Sequence, residues 1–260
     1  MRGLRWRMAS GMASGMALSL AFALSLVLTF LNPKVSQAQT TAPTPVASQV
    51  NTTPNAQGAP VAKLQGSKTL LVLGDSLSAE YGLVKGTGWV ALLEEKLNAQ
   101  HMDWRVINAS ISGDTTSGGL ARLPALLATH HPQLVVIELG ANDALRGLAL
   151  NMTRSNLLQM TQQSKRAQAK VLLIGMQVPP NYGRQYNEDL KATFSAVAKQ
   201  TQSASVPFFF QGLLSHIDQI HESTDPTETW FQADRIHPLA KAHPYLLQGI
   251  WPTLKNALKD

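Results

Sequence analysis

From residue 69 onward the chain alternates short apolar runs with longer amphipathic stretches. TLLVLG (69–74), WRVINA (104–109), QLVVIELG (133–140), KVLLIG (170–175) and VPFFFQ (206–211) read as strands. Most are continuous rather than alternating, as expected for strands buried on both faces of a parallel sheet. Helical patterns lie between and after them: WVALLEEKLNA (89–99), GLARLPALLATH (119–130), NMTRSNLLQMTQQSKRAQ (151–168), NEDLKATFSAVAKQTQ (187–202) and a last one around 240–258. Strand and helix in strict alternation predict an α/β sandwich around a five-stranded parallel sheet.

The residues ahead of this pattern belong to a different regime. Arg2, Arg5 and Arg7 precede the apolar run ALSLAFALSLVLTFL (17–31), followed by Pro33 and the small residues of VSQAQ. That order is a secretory signal peptide, with cleavage expected after Ala38. An uncleaved anchor in the inner membrane is the alternative, because no charge interrupts Met8 to Leu31. Gly11, Gly15 and several serines dilute its first third and favour cleavage. Residues 39–67 are rich in Thr, Pro and Ala, lack apolar periodicity, and read as a disordered linker. The stretch 68–260 is then one domain, long enough to bury a sizeable core.

Charge and cysteine usage narrow the function classes. The formal charge of +6 shrinks once the leader is set aside: without Arg2, Arg5, Arg7 and Lys34, 18 basic residues face 16 acidic ones. No basic stripe interleaved with aromatics remains, so nucleic acid is not an expected partner. The chain has no cysteine, which rules out disulfides, thiolate metal sites, a cysteine nucleophile and a lipid-modified N-terminus. The expected address is the periplasm or the exterior.

In an open parallel sheet, working residues gather at the carboxyl ends of the strands, near the point where strand order reverses. Four polar clusters fall there: Gly-Asp-Ser (74–76) after the first strand, SISGDT (110–115) after the second, GAND (140–143) after the third, and DRIHP (234–238) beyond the fifth. A lone Gly-Asp-Ser is more often a turn than a nucleophile. A serine needs a base within hydrogen-bond reach and an acid to orient that base. His237 is the candidate base, and Asp234, three residues earlier, can reach its imidazole across one turn. The order Ser, Asp, His matches one known arrangement of serine hydrolases. Ser76 is not in a Gly-x-Ser-x-Gly elbow, so an α/β-hydrolase proper is not expected. Donors for a developing oxyanion are available from the Ser76 and Gly113 backbone and the Asn142 side chain. Asp75 reads as a brace for the loop.

GDSLS, NASISGDT, GAND and DRIHP, in that order, resemble the blocks of the SGNH (GDSL-type) hydrolases. The longer stretches 106–147 and 178–188 are similar to the bacterial multifunctional thioesterase I/arylesterase/lysophospholipase group, and the resemblance spans roughly 69–252. It implies a flavodoxin-like three-layer α/β/α fold without a metal or other cofactor. It also implies Ser76 as nucleophile, His237 as base, Asp234 as its orienter, and Gly113 and Asn142 as oxyanion donors. Three positions depart from the group: Ala141 and Arg235 stand where glycine is frequent, and Gln177 where arginine is usual. They bear on substrate preference more than on catalysis. The loop after Asp143, ALRGLALNM, is similar to one that packs against acyl chains in that group.

Simpler readings cover most other candidates. His130 and His131 end a helix, and His101, His216 and His221 read as surface or helix-end residues. His243 lies six residues past His237, not at the i, i+4 spacing of a helical zinc site, so no metal is expected. Asp114 and Asn108 fit turn and capping roles. Glu138, a charge in a buried run, is expected to pair with Arg122 or Arg146. Phe208, Phe209 and Phe210 read as core, with Tyr182 and Trp230 as candidates to line a substrate groove. The resulting expectation is an exported, monomeric serine esterase acting on small acyl esters, lysophospholipids or thioesters, with room for transient membrane-surface contact. A carbohydrate O-deacetylase with the same triad, or a non-catalytic binding module, are the alternatives. Four intact blocks argue against the module, and an acyl-packing loop argues against the deacetylase.

Overall fold

A computed structural model describes residues 67–220 and 226–259. The expected signal peptide and the linker up to residue 66 lie outside the described residues, as does His221. Among the described residues no helix is long and apolar enough to cross a membrane.

Five strands, β1 (Lys68–Gly74), β2 (Trp104–Asn108), β3 (Leu134–Glu138), β4 (Lys170–Ile174) and β5 (Ala204–Val206), form one sheet in the order β2-β1-β3-β4-β5. Every neighbouring pair is parallel. The helices are α1 (Trp89–Ala99), α2 (Thr116–His130), α3 (Ala141–Leu145), α4 (Leu150–Arg166), α5 (Arg184–Thr201), α6 (Gln211–Ile220), α7 (Pro226–Thr229) and α8 (His243–Ala257). This is the expected three-layer α/β/α sandwich with flavodoxin-like strand order.

The layering follows from handedness. Right-handed crossovers put a helix on one face when the chain steps one way along the sheet and on the other face when it steps back. The step β1 to β2 is followed by a return past β1 to β3, so α1 and α2 cover opposite faces. Accordingly α1 packs on α8, while α2, α4 and α5 pack in a row on the other side. Both faces of the central strands are therefore sealed. All five residues of β3 are buried, and Leu70, Leu71, Val72 and Leu73 of β1 have no exposed surface. Each such leucine contributes about 1.5–3 kcal/mol.

Two boundaries differ from the sequence reading for physical reasons. The fifth strand is not 206–211 but Ala204–Val206, because Pro207 has no N–H to continue the ladder. The chain turns instead around Gly175: Gly175 N–H donates to Val206 (2.8 Å) and Phe209 N–H to the Gly175 carbonyl (2.9 Å). A Cβ at Gly175 would sit 2.3 Å from the Pro207 carbonyl oxygen, so only glycine fits. As a result Phe209 alone of the three phenylalanines is fully buried in the core. The second difference is the short α3 at 141–145, which falls within a loop by periodicity and is fastened by Asp143. The Asp143 carboxylate accepts from Thr116 N–H (2.8 Å), from the Thr116 hydroxyl and from the Thr153 hydroxyl (3.2 Å), joining α3 to α2 and α4.

Candidate active site

The strand order reverses between β1 and β3, and the loops after both strands open there. β1 ends at Gly74, where a Cβ would lie 2.7 Å from Ser78 Oγ and 2.9 Å from a Glu138 carboxylate oxygen. The absence of a side chain lets the next residues fold back in a tight turn, with Ser78 and Ala79 N–H groups donating to the Asp75 carbonyl. Asp75 is buried and braces the turn from within. Its Oδ1 accepts from Leu77 N–H (3.0 Å) and its Oδ2 from Asn142 Nδ2 (3.0 Å). Burial pushes its carboxyl up to about 6, against the opposing pull of the Leu77 and Asn142 hydrogen bonds. Ser76 is left at the apex, partly exposed.

The partner loop comes from the far end of the chain. Phe231 and Pro238 form an isolated antiparallel bridge, and Gln232 N–H donates to the His237 carbonyl at 2.7 Å, so 232–237 is a closed loop. Within it Asp234 Oδ1 accepts from the N–H groups of Ile236 (2.9 Å) and His237 (3.0 Å). Asp234 Oδ2 lies 2.7 Å from His237 Nδ1, and His237 Nε2 lies 2.8 Å from Ser76 Oγ. An ionised carboxylate only accepts, so Nδ1 carries the proton and Nε2 accepts from the serine hydroxyl. Burial disfavours the Asp234 charge, but the His237 and Ile236 N–H groups and the His237 ring outweigh it, and the carboxyl is held below its ordinary range. The Tyr81 ring lies 4.5 Å from the imidazole, tilted by 41°.

Gly113 and Asn142 line the same cavity as Ser76. Gly113 has φ +79°, a conformation side chains rarely adopt. Its carbonyl accepts from Arg146 Nη2 at 2.7 Å. The Ser76 and Gly113 N–H groups find no acceptor among the described residues, which leaves both for a ligand. The supporting cation is Arg122. It donates to Asp114 (2.8 Å), to the Ala109 carbonyl and to the Gly74 carbonyl (3.5 Å), clamping the ends of β1 and β2 to the Gly113 loop.

Ser76, Gly113, Asn142 and His237 border one cavity of about 1120 Å³, while Asp234 reaches it only through its contact with His237. Beyond the hydroxyl its walls are apolar, with Leu145, Met176, Val178, Phe208, Phe210 and Phe231 among the lining residues.

A model of the GDSL-like lipase/acylhydrolase family matches residues 72–244. The chain belongs to that family. It is 51% identical over 192 residues to the esterase TesA of Pseudomonas aeruginosa, covering 74% of this chain and 90% of that one. It is 43% identical over 178 residues to the Escherichia coli thioesterase 1/protease 1/lysophospholipase L1, covering 68% and 79% respectively. Among solved structures, the psychrotrophic esterase EstA from Pseudoalteromonas sp., inhibited by monoethylphosphonate, superposes with a TM-score of 0.66 at 37% identity. That match covers 74% of this chain and all of the other. The chain is thus an esterase- and thioesterase-type member of the family, a hydrolase of ester bonds.

Against this family background the three departures take on places. Ala141, Gln177 and Arg235 all line the cavity. Arg235 holds φ +60°, the left-handed region, as a glycine would, and pairs with Glu228 at 3.2 Å.

Several sequence expectations need correction. Glu138 pairs with neither Arg122 nor Arg146, because those side chains serve Asp114 and the Gly113 carbonyl. Its Oε2 instead accepts from Ser78 Oγ at 2.6 Å, and Trp89 Nε1 donates to the same hydroxyl at 3.1 Å. Complete burial, and next the Asp75 charge, push the Glu138 carboxyl well above its ordinary range. Tyr182 and Trp230 do not line the cavity. Trp230 is buried against Tyr245, and the Tyr182 hydroxyl reaches the Leu145 carbonyl (3.4 Å). Tyr81, Phe208, Phe210 and Phe231 line it instead, so two of the three phenylalanines read as core belong to the site. His216 is no bare surface residue: its ring stacks on Tyr245 at 3.7 Å. His243 is buried with Nδ1 accepting from Trp89 N–H (3.0 Å), at the N-terminus of α1. Asn108 has its expected turn role, Oδ1 accepting from Ser110 N–H (3.1 Å), and in addition crosslinks, Nδ2 donating to the Ser78 carbonyl at 2.8 Å. Sequence reasoning missed Gln232, whose Nε2 donates to the Tyr81 carbonyl (2.9 Å) and the Pro238 carbonyl (3.3 Å), tying the histidine loop to the serine loop.

Proposed function

We propose that the protein is an exported serine esterase that cleaves carboxylic acyl esters, thioesters included, through Ser76, His237 and Asp234 and a covalent acyl-enzyme. The observation that carries this reading is the unbroken chain Ser76 Oγ, His237 Nε2, His237 Nδ1, Asp234 Oδ2, at 2.8 and 2.7 Å, at the mouth of an apolar cavity. Ser76 Oγ bonds to the ester carbonyl carbon while its proton passes to His237 Nε2. The carbonyl oxygen becomes an oxyanion held by the Ser76 and Gly113 N–H groups and Asn142 Nδ2. Asp75 keeps one Asn142 N–H engaged and so aims the other. Collapse returns the proton from His237 to the departing alcohol or thiol. A water, deprotonated by His237, then attacks the acyl carbon and releases the acid, regenerating Ser76. The attacks by Ser76 and by water both begin with His237 able to accept a proton, so activity falls on acidification.

The apolar walls support a medium or long acyl group over an acetyl group, because a pocket this large gains little from a two-carbon chain. Export is supported by the basic, apolar and small-residue order of the N-terminus, which favours a periplasmic or secreted address. The test is hydrolysis of chromogenic esters of increasing acyl length by the wild type and Ser76→Ala. The expected result is a rate maximum beyond acetyl and a loss of about 10⁴–10⁶ in kcat in the variant. A preference for acetyl esters alone would instead indicate the deacetylase, and wild-type rates in Ser76→Ala would remove the serine mechanism.

A further inference from the structure

Exposed apolar side chains are not scattered over this molecule. Of the nine large hydrophobic residues exposed among the described residues, Tyr81, Val84, Ile111, Leu148, Tyr182 and Ile236 all lie in loops at the carboxyl edge of the sheet. Met152 and Leu214 occupy the opening turns of α4 and α6, which start at that same edge. Only Ile220 lies away from it. The four loops at the opposite edge, 100–103, 131–133, 167–169 and 202–203, contain none. Val84 is 77% exposed and touches the site at neither end. Isolated exposed apolar residues are ordinary, whereas their segregation to one edge marks an interaction surface.

The charges on this edge indicate what it meets. Lys85, Arg146, Arg154 and Arg184 are exposed there, and none has a carboxylate partner among the described ion pairs. Among the described acids nearby, four are taken up in ion pairs. Glu188 binds Lys191, Glu228 binds Arg235, Asp234 binds His237 and Asp114 binds Arg122. Glu80 and Asp189 keep their charge, hydrogen-bonded to the N–H groups of Gly86 and Gly88 and to Gln185, so four unpaired cations face two unpaired anions among the described residues. Apolar tips, tyrosines and an excess of cations on one face match a surface that is apolar within and anionic at its boundary.

We propose that the carboxyl edge docks the protein on an anionic phospholipid surface, with the cavity mouth facing the lipid. The apolar tips enter the headgroup boundary, the four cations meet phosphate groups, and an acyl chain can pass from the layer into the cavity without crossing water. This surface stands on its own observations and does not depend on the serine mechanism.

The absence of cysteine permits a site-specific test. Val84→Cys and, on the opposite edge, Gln100→Cys are each placed in the full chain and labelled with an environment-sensitive fluorophore. Neither lines the cavity, so hydrolysis of a soluble short-chain ester should be unchanged. Vesicles of mixed phosphatidylcholine and phosphatidylglycerol should give blue-shifted, brighter emission at 84 and none at 100, with a weaker response to phosphatidylcholine alone. The N-terminal segment is common to both variants and cannot produce that difference. No shift at 84 in enzyme that still cleaves the soluble ester overturns docking while leaving the esterase reading intact. Equal shifts at both positions overturn it too. So does a shift without vesicles that grows with protein concentration, which would assign the edge to a second copy of the chain.

Discussion

Asp75 shows how one residue can serve the site at a cost to the fold. It stands between the Ser76 turn and Asn142, and its burial makes the ionised form unfavourable, lifting its carboxyl to about 6. The folded protein therefore holds this proton where the unfolded chain has released it, and the contribution to stability falls as pH rises from about 4 to about 6. His243 runs the other way. Burial lowers its imidazole to about 4, against smaller opposing effects of the Pro238 carbonyl and Glu80. The unfolded chain then takes up this proton first, and stability falls as pH drops from about 6.5 to about 4. The two slopes oppose each other in the wild type. Asp75→Asn removes one of them, so its melting temperature should drop more steeply than that of the wild type between pH 7 and pH 4.5. Parallel melting curves against pH in the two proteins would contradict this assignment. Catalysis should suffer as well, because Asn142 loses the carboxylate that aims it.

At the scale of elements, the site is a set of loops fastened to one another by side chains that never touch the cavity. Gln232 is the plainest case, bridging the serine loop and the histidine loop through the Tyr81 and Pro238 carbonyls. Gln232→Ala should cost about 1 kcal/mol of stability. Because a small misplacement of a catalytic group is expensive, it should also lower kcat by about tenfold or more. KM should stay near its wild-type value, since Gln232 does not line the cavity, and steady-state kinetics on one ester separate the two parameters. A change confined to KM would assign Gln232 to substrate binding instead. This kind of residue was not legible in the sequence. The strands were, because continuous apolar runs between amphipathic helices leave few other solutions, and α1 fell on its expected residues. So were the polar clusters at strand ends that supply Ser76, Gly113, Asn142, Asp234 and His237. What escaped depends on long-range approach. Whether Phe208 and Phe210 face the core or a cavity was decided by Pro207 ending β5. What Glu138 pairs with was decided by the Ser78 hydroxyl, sixty residues away.

On the scale of the molecule, the right-handed crossovers that seal the sheet also place its one strand-order reversal beneath Ser76. Loops from β1, β2 and β3 and the chain between α7 and α8 converge there, so Ser76, Gly113, Asn142 and His237 come from four distant segments. The same convergence gathers the apolar cavity and the exposed apolar tips on a single edge. That arrangement is suited to substrates whose reactive ester adjoins a long apolar tail. The central claim is that Ser76 becomes covalently acylated in turnover, and acid quenching of the enzyme with excess chromogenic ester, followed by intact-protein and peptide mass spectrometry, tests it most directly. The account predicts one acyl group per chain, located on Ser76 and absent in Ser76→Ala. An acyl group on another residue, or an unmodified enzyme turning over at full rate with Ser76 replaced, would contradict it.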